Sequence, residues 1–327
     1  MPVHDDLRAN ADLSLLDEAL RTTLSDATDR ARDQLRRLAR YSAPPAQIEF
    51  PKPKLAAVLV LLHLNPLNEL SVTLTTRSKR LRSHPGETAL PGGRWEEGDG
   101  EGGEWTALRE AWEEIGLPLP PRPAVPRALA SPPTSPPPHL LYLTTLPAFT
   151  SRTLLVVLPV VYLLNKPASS ASTYLSETLR VNKDEVDEVF HLPLRSFLMR
   201  DEGPSTSSSS SSTQTRSRPL PSPLPGSETL EHTYADFTWL LSRPYRLHHF
   251  AHPSQLVTPS PVTGLTADIV VETALLASPG EVGFVRRAEG QMQWDEIVDE
   301  AMRVHARGAG AESGSRKEGA DERTSAT

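Results

Sequence analysis

Apolar residues recur at helical spacing near the start of the chain, where Leu16, Leu20, Leu24, Ala27, Ala31, Leu35 and Leu38 fall on one stripe. The stripe predicts an amphipathic helix over residues 12–41, stopped by Pro44-Pro45 and packed on the main body through its apolar face. The period then changes. Residues 55–64 and 70–75 are dense in Leu, Val and Thr, and Asn65-Pro66-Leu67-Asn68 joins them, which predicts a hairpin of two strands. Residues 154–164 suit a central strand, 186–192 a shorter strand, 234–250 further strand, and 265–277 a closing helix. Two stretches carry no period. The Pro-rich segment 118–138 reads as a long exposed loop. Asp201 to Ser227, with its unbroken Ser207 to Ser212 run, holds too little apolar surface to offset ordering entropy. These breaks divide the chain into a helical extension (1–50), the first part of a folded domain (51–200), a disordered insertion (201–228), the domain's C-terminal part (229–307) and a loose tail (308–327).

Composition narrows the chemistry. The absence of cysteine in 327 residues excludes disulfides, a thiol nucleophile and Cys-ligated zinc, and fits an intracellular setting. A net charge of −7 gives no broad basic surface, so nucleic acid is not an expected partner. No apolar run approaches the roughly 20 residues of a membrane span, and neither a signal-peptide layout nor a terminal Ser-Lys-Leu is present, so no membrane partner is expected. The expected ligand is a small molecule, and an anionic one needs locally placed arginine or a metal.

The run Arg109-Glu110-Ala111-Trp112-Glu113-Glu114-Ile115-Gly116-Leu117 supplies such a place. Glu110, Glu113 and Glu114 stand at i, i+3 and i+4, on one face of a helix. Three like charges on one turn repel unless a cation sits among them, and oxygen ligands suit Mg²⁺ or Mn²⁺, which bridge readily to phosphate. Upstream, Gly92-Gly93 can bring a bare backbone carbonyl, that of Gly93, up to the ion, and Gly116 can cap the helix. The bland reading of the glutamates alone is a solvated acidic face; the glycines on either side favour a site.

This block resembles the Nudix box, in which a glycine and an acidic residue precede the pattern Arg-Glu-apolar-x-Glu-Glu-x-Gly-apolar. Gly93 and Arg109 to Leu117 match. The connecting loop is two residues longer than the general pattern, so either Asp99 or Glu101 fills the first acidic position. A second block, Thr75-Thr76-Arg77-Ser78 with Arg82, Gly86 and Leu90-Pro91-Gly92-Gly93, is similar to the segment that marks the coenzyme A pyrophosphatase branch, with Leu90 in place of Phe. Leu146 to Arg152, Glu185 to Phe190 and Gly264 to Ala267 extend the resemblance in order along the chain.

The resemblance implies an α/β fold, a Nudix α/β/α sandwich with a mixed sheet and a catalytic loop-helix. It implies a metal-dependent pyrophosphohydrolase that cleaves coenzyme A or its thioesters to 3′,5′-ADP and (acyl-)4′-phosphopantetheine, with Glu110, Glu113, Glu114 and the Gly93 carbonyl holding Mg²⁺ or Mn²⁺. Arg109 would orient the glutamates through its guanidinium rather than touch the ion. Arg77 and Arg82, beside Gly92 and Gly93, would bind phosphate through their planar guanidinium groups. The general base stays open between a box glutamate and a later residue, Glu185 or Glu188. Relatives of the branch are often peroxisomal or mitochondrial. The alternatives are another nucleoside diphosphate such as ADP-ribose, or a Nudix-fold binding module without turnover, against which the intact glutamates argue. His248, His249 and His252 lack companion ligands and read as structural. Trp95, Trp105 and Trp112 read as packing.

Overall fold

The structure, a computed structural model, describes residues 11–43, 50–100, 103–119, 139–198, 230–252 and 254–321, with side chains as far as 307. Pro44-Pro45, Glu101, most of the expected loop 118–138 and the expected insertion 201–228 lie outside the described residues.

The N-terminal stripe forms two helices rather than one, α1 (Leu13–Arg21) and α2 (Asp29–Arg40). Thr22, Thr23, Ser25, Asp26 and Thr28 interrupt it, and short polar side chains of this kind compete for backbone bonds. Thr22 Oγ1 bonds back to the Glu18 carbonyl at 2.8 Å, and Thr28 Oγ1 accepts from the Ala31 amide at 3.1 Å, capping α2. Leu24 and Ala27, inside the break, remain buried with the rest of the stripe. The apolar face therefore survives although the helix does not.

A mixed sheet of eight strands forms the centre. Strand β1 (Leu55–Leu64) and β2 (Leu70–Arg77) make the expected hairpin, pairing Leu64 with Leu70. Asn65 Oδ1 accepts from the Leu67 and Glu69 amides at 2.9 and 3.1 Å, which folds the turn. After β2 come β3 (Thr88–Ala89) and β4 (Gly92–Arg94), then α3 (Glu104–Ile115), β5 (Leu140–Thr145), β6 (Phe149–Thr150) and β7 (Val156–Leu164). Helix α4 (Ala168–Thr178) and strand β8 (Val186–Pro193) follow. The main order is β3-β2-β1-β7-β5, with β4 on β1, β6 on β7 and β8 on β2; among the described residues only β1 and β7 run parallel in this sheet.

Strand β1 is apolar at nearly every position because both of its faces are covered. Ala56, Val60, Leu62 and Leu64 join the core beneath α1, α2 and α5 (Gly264–Ala277), whereas Ala57, Leu59 and Leu61 join a second core beneath α3 and α4. This is the expected α/β/α sandwich with a mixed sheet.

The strand-like stretch 234–250 is itself a hairpin, β9 (Glu231–Thr238) and β10 (Pro244–Ala251), in a separate three-stranded sheet with β11 (Val262–Thr263). Thr88 ties that sheet to β3, donating to the Ser260 carbonyl at 2.8 Å and accepting from Thr266 at 3.2 Å. A last helix, α6 (Trp294–Asp321), runs on past Gly308, where a loose tail is expected; Ala, Glu, Lys and Arg, all good helix formers, are interspersed with the glycines there. Among the described residues no helix is long and apolar enough to cross a membrane.

Candidate active site

Helix α3 is fixed at both ends by glycine. Gly103 precedes it at φ 74°, and Gly116 closes it at φ 67° with its amide donating to the Trp112 carbonyl at 2.9 Å. A side chain at Gly116 would begin 2.7 Å from the backbone nitrogen of Arg180, so the next segment packs directly on the helix end. Ala107, Leu108, Ala111 and Ile115 form the inward stripe. Glu110 and Glu114 face β4, and the glycines of β4 make that approach possible. A Cβ on Gly93 would lie 2.4 Å from the Glu110 carboxylate, and one on Gly92 would lie 2.4 Å from the Ala57 carbonyl.

Glu114 is buried, and its Oε2 accepts from the Gly92 amide at 3.0 Å. Burial pushes its carboxyl up to about 8; the Gly92 bond and Arg77 oppose the shift, while Glu110 and Glu185 add to it. Glu110 is raised above the usual carboxylate range, first by burial and then by Glu113 and Glu185 against the pull of Arg109. Glu185, in the turn just before β8, thus adds its charge to the box carboxylates from a different part of the chain. Glu188 stands exposed, opposite Thr76.

Arg109 does not point at a ligand. Its Nε and Nη2 bind Asp99 at 3.0 and 3.1 Å, its Nη1 binds Glu113 at 3.0 Å and lies 3.1 Å from Glu110, and its Nη2 also donates to the Arg94 carbonyl at 2.8 Å. Asp99 is buried and further accepts from Thr106 at 2.9 Å and the Glu96 amide at 3.0 Å, bonds that with Arg109 outweigh burial and hold its carboxyl below the usual range. Asp99 therefore fixes Arg109, and Arg109 fixes the glutamates.

Among the described residues no three Asp, Glu, His or Cys side chains are drawn together as closely as a metal ion requires, since Glu113 leans to Arg109. The donor set nevertheless fits a hard divalent cation. Carboxylate oxygens predominate, and two of the three carboxyls are raised by crowding and burial that a cation would relieve.

Arg77 ends β2 beside this face, and its charge acts on Glu114. Its Nε is buried without a hydrogen-bond partner. Arg82 stands exposed in the turn after it. His248 Nε2 donates to the Arg286 carbonyl at 2.8 Å, and its Nδ1 pairs with His232 Nε2 at 3.0 Å, in keeping with a structural role. Trp95 and Trp105 pack against apolar clusters. Trp112 does not: it is 53% exposed, because the inward stripe of α3 passes it by.

Residues 53–205 match the model of the NUDIX domain. Over 166 residues the chain is 33% identical to the peroxisomal coenzyme A diphosphatase ndx-8 of Caenorhabditis elegans, covering 51% of this chain and 59% of that protein. It is 39% identical over 152 residues to the mitochondrial Nudix hydrolase 15 of Arabidopsis thaliana, covering 46% and 44%. It is 45% identical over 69 residues to the peroxisomal coenzyme A diphosphatase 1 of Saccharomyces cerevisiae, covering 21% and 20%. The chain thus spans at most about three-fifths of these relatives' own lengths, and the residues matched by the domain model contain the glutamate helix, both glycines of β4 and Arg77.

Proposed function

We propose that the chain is a metal-dependent pyrophosphohydrolase that cleaves the diphosphate of coenzyme A or its thioesters, giving 3′,5′-ADP and (acyl-)4′-phosphopantetheine. The observation that carries this reading is Arg77, whose buried Nε has no partner while its charge lies against Glu114. A guanidinium left with an open donor beside a carboxylate-lined cation position suits a phosphate bound to both. Mg²⁺ or Mn²⁺, held by Glu110, Glu113, Glu114 and the Gly93 carbonyl, would supply charge neutralisation and an acidified water.

The chain's own residues do the rest. Arg109, braced by Asp99, keeps the glutamates in register. Glu185, in the turn before β8, lies near enough for its charge to act on Glu110 and Glu114 and would accept the water's proton. Gly92 and Gly93 keep side chains out of the space between β4 and α3. Arg77 holds a phosphate oxygen, and Arg82, on the exposed turn, extends the positive edge. Relatives named for peroxisomes and mitochondria support an organellar setting for this chain.

The test offers coenzyme A, dephospho-coenzyme A, ADP-ribose and NADH in parallel with Mg²⁺ or Mn²⁺, with products identified by mass. If Arg77 grips the diphosphate beside the cation, Arg77→Ala should lower kcat/KM by about ten- to a hundredfold on coenzyme A and its dephospho form alike, the worth of one charge-assisted contact, and Arg77→Lys should restore part of it, because Lys keeps the charge and loses the fork. Faster cleavage of ADP-ribose than of coenzyme A by the parent would overturn the substrate assignment.

A further inference from the structure

The two halves of the site come from distant elements, the glutamates from α3 and Arg77 from the end of β2. One short segment between α4 and β8 touches both. The Arg180 amide donates to the Ile115 carbonyl at 2.8 Å and the Asn182 amide to the Glu114 carbonyl at 2.9 Å, so this segment satisfies carbonyls that the end of a helix leaves open. Asn182 then folds the segment on itself. Its Oδ1 accepts from the Asp184 amide at 3.2 Å, and its carbonyl accepts from the amides of Glu185 and Val186 at 3.0 and 2.8 Å. At the far end Ser78 closes the chain of bonds: its amide donates to the Glu185 carbonyl at 2.8 Å and its Oγ to the Lys183 carbonyl at 3.3 Å. Ser78 is fully buried and directly follows Arg77.

We propose that Asn182 to Glu185 is a strut that sets the distance between the glutamate helix and Arg77, with Asn182 and Ser78 as its positioning residues. What that distance serves rests on the pyrophosphohydrolase reading; the strut itself does not. A diphosphate held at both ends requires the two holders in register, and a misplacement of about 1 Å costs on the order of a hundredfold in rate. Glu185 rides on the same strut, so loosening it also moves the carboxylate that acts on Glu110 and Glu114. Metal binding should be spared, because Glu110, Glu113 and Glu114 share one helix.

The experiment compares Asn182→Ala, Asn182→Asp, Ser78→Ala and the double alanine variant with the parent on whichever diphosphate the parent hydrolyses. It also measures Mn²⁺ affinity, melting temperature and amide exchange. Each alanine variant should lose about ten- to a hundredfold in kcat/KM, mostly in kcat, with Mn²⁺ affinity within about twofold and the melting temperature nearly unchanged. The double variant should be no worse than the weaker single one, since both loosen the same strut by removing the side-chain bonds of Asn182 and Ser78. Asn182→Asp keeps the accepting oxygen and should return to within about threefold of the parent. Ser78→Ala should hasten exchange at residues 113–116 and 180–186. Losses that multiply in the double variant, losses that follow melting temperature, or singles within threefold of the parent with unchanged exchange would each overturn the strut. A parent inactive on every diphosphate would strike the proposed function instead, and the strut would then stand or fall on the exchange data.

Discussion

Glu114 combines burial, a backbone donor and two neighbouring carboxylates in one side chain, and its raised proton affinity leaves it largely neutral at pH 7 when no cation is beside it. Replacing it with Gln keeps shape and neutrality, so the metal-free protein should melt within a few degrees of the parent. Turnover should nonetheless fall by about a hundredfold or more, because neutralising phosphate charge is worth several kcal/mol at the transition state. Glu113→Gln, at the exposed end of the Arg109 network, should lose activity in the same direction. Turnover within about threefold of the parent in both variants would remove these residues from the site. The glutamates and the glycine pair were legible in the sequence because their geometry is local: spacing on one helix, and a turn next to it. Asp99 was legible as one of two candidates; it bonds to Arg109, while Glu101 lies outside the described residues. Asn182 and the anchoring part played by Ser78 were not legible, since the Ser78 bond to Lys183 spans 105 positions and nothing in a turn-forming Asn-Lys-Asp names its partner.

Among the elements, α3 depends most on its ends. Gly116 adopts a left-handed conformation and lies against the Arg180 backbone, so Gly116→Ala should cost about 1–3 kcal/mol, from the unfavourable φ and the clash together. Thermal unfolding would show this as a drop of several degrees. Activity at low temperature should fall too, since the displaced segment is the one that reaches Glu114 and Arg77. An unchanged melting temperature would mean that the Arg180 segment yields freely. The hairpin β1–β2 was readable from its turn residues, and α5 from its apolar run. The single N-terminal helix was misread because an unbroken apolar stripe does not reveal a break made by side chains such as Thr22 and Thr28. Helix α4 went unseen because Ala168, Ala171 and Leu175 are a thin stripe in a Ser- and Thr-rich stretch.

Across the whole molecule, the second core holds a buried cost. His63 is almost completely covered, its Nε2 has no partner, and the His191 ring stands edge-on 4.7 Å away. Burial lowers His63 to about 4, whereas in the unfolded chain it titrates near 6.5. The folded protein is therefore at full advantage above pH 6.5 and loses it as pH falls toward 4, by up to about 3 kcal/mol from this residue. His63→Leu should melt progressively higher than the parent below pH 6, and a parallel pH dependence in the two proteins would assign the acid sensitivity elsewhere. The split of β1 between two cores has a consequence in time. Its parallel partner β7 follows about a hundred residues later, which at cellular rates of synthesis means roughly 5–20 s during which an almost wholly apolar strand has left the ribosome without its mate. Nascent chains halted before Val156 should therefore be held by chaperones, and those extended past Leu164 released.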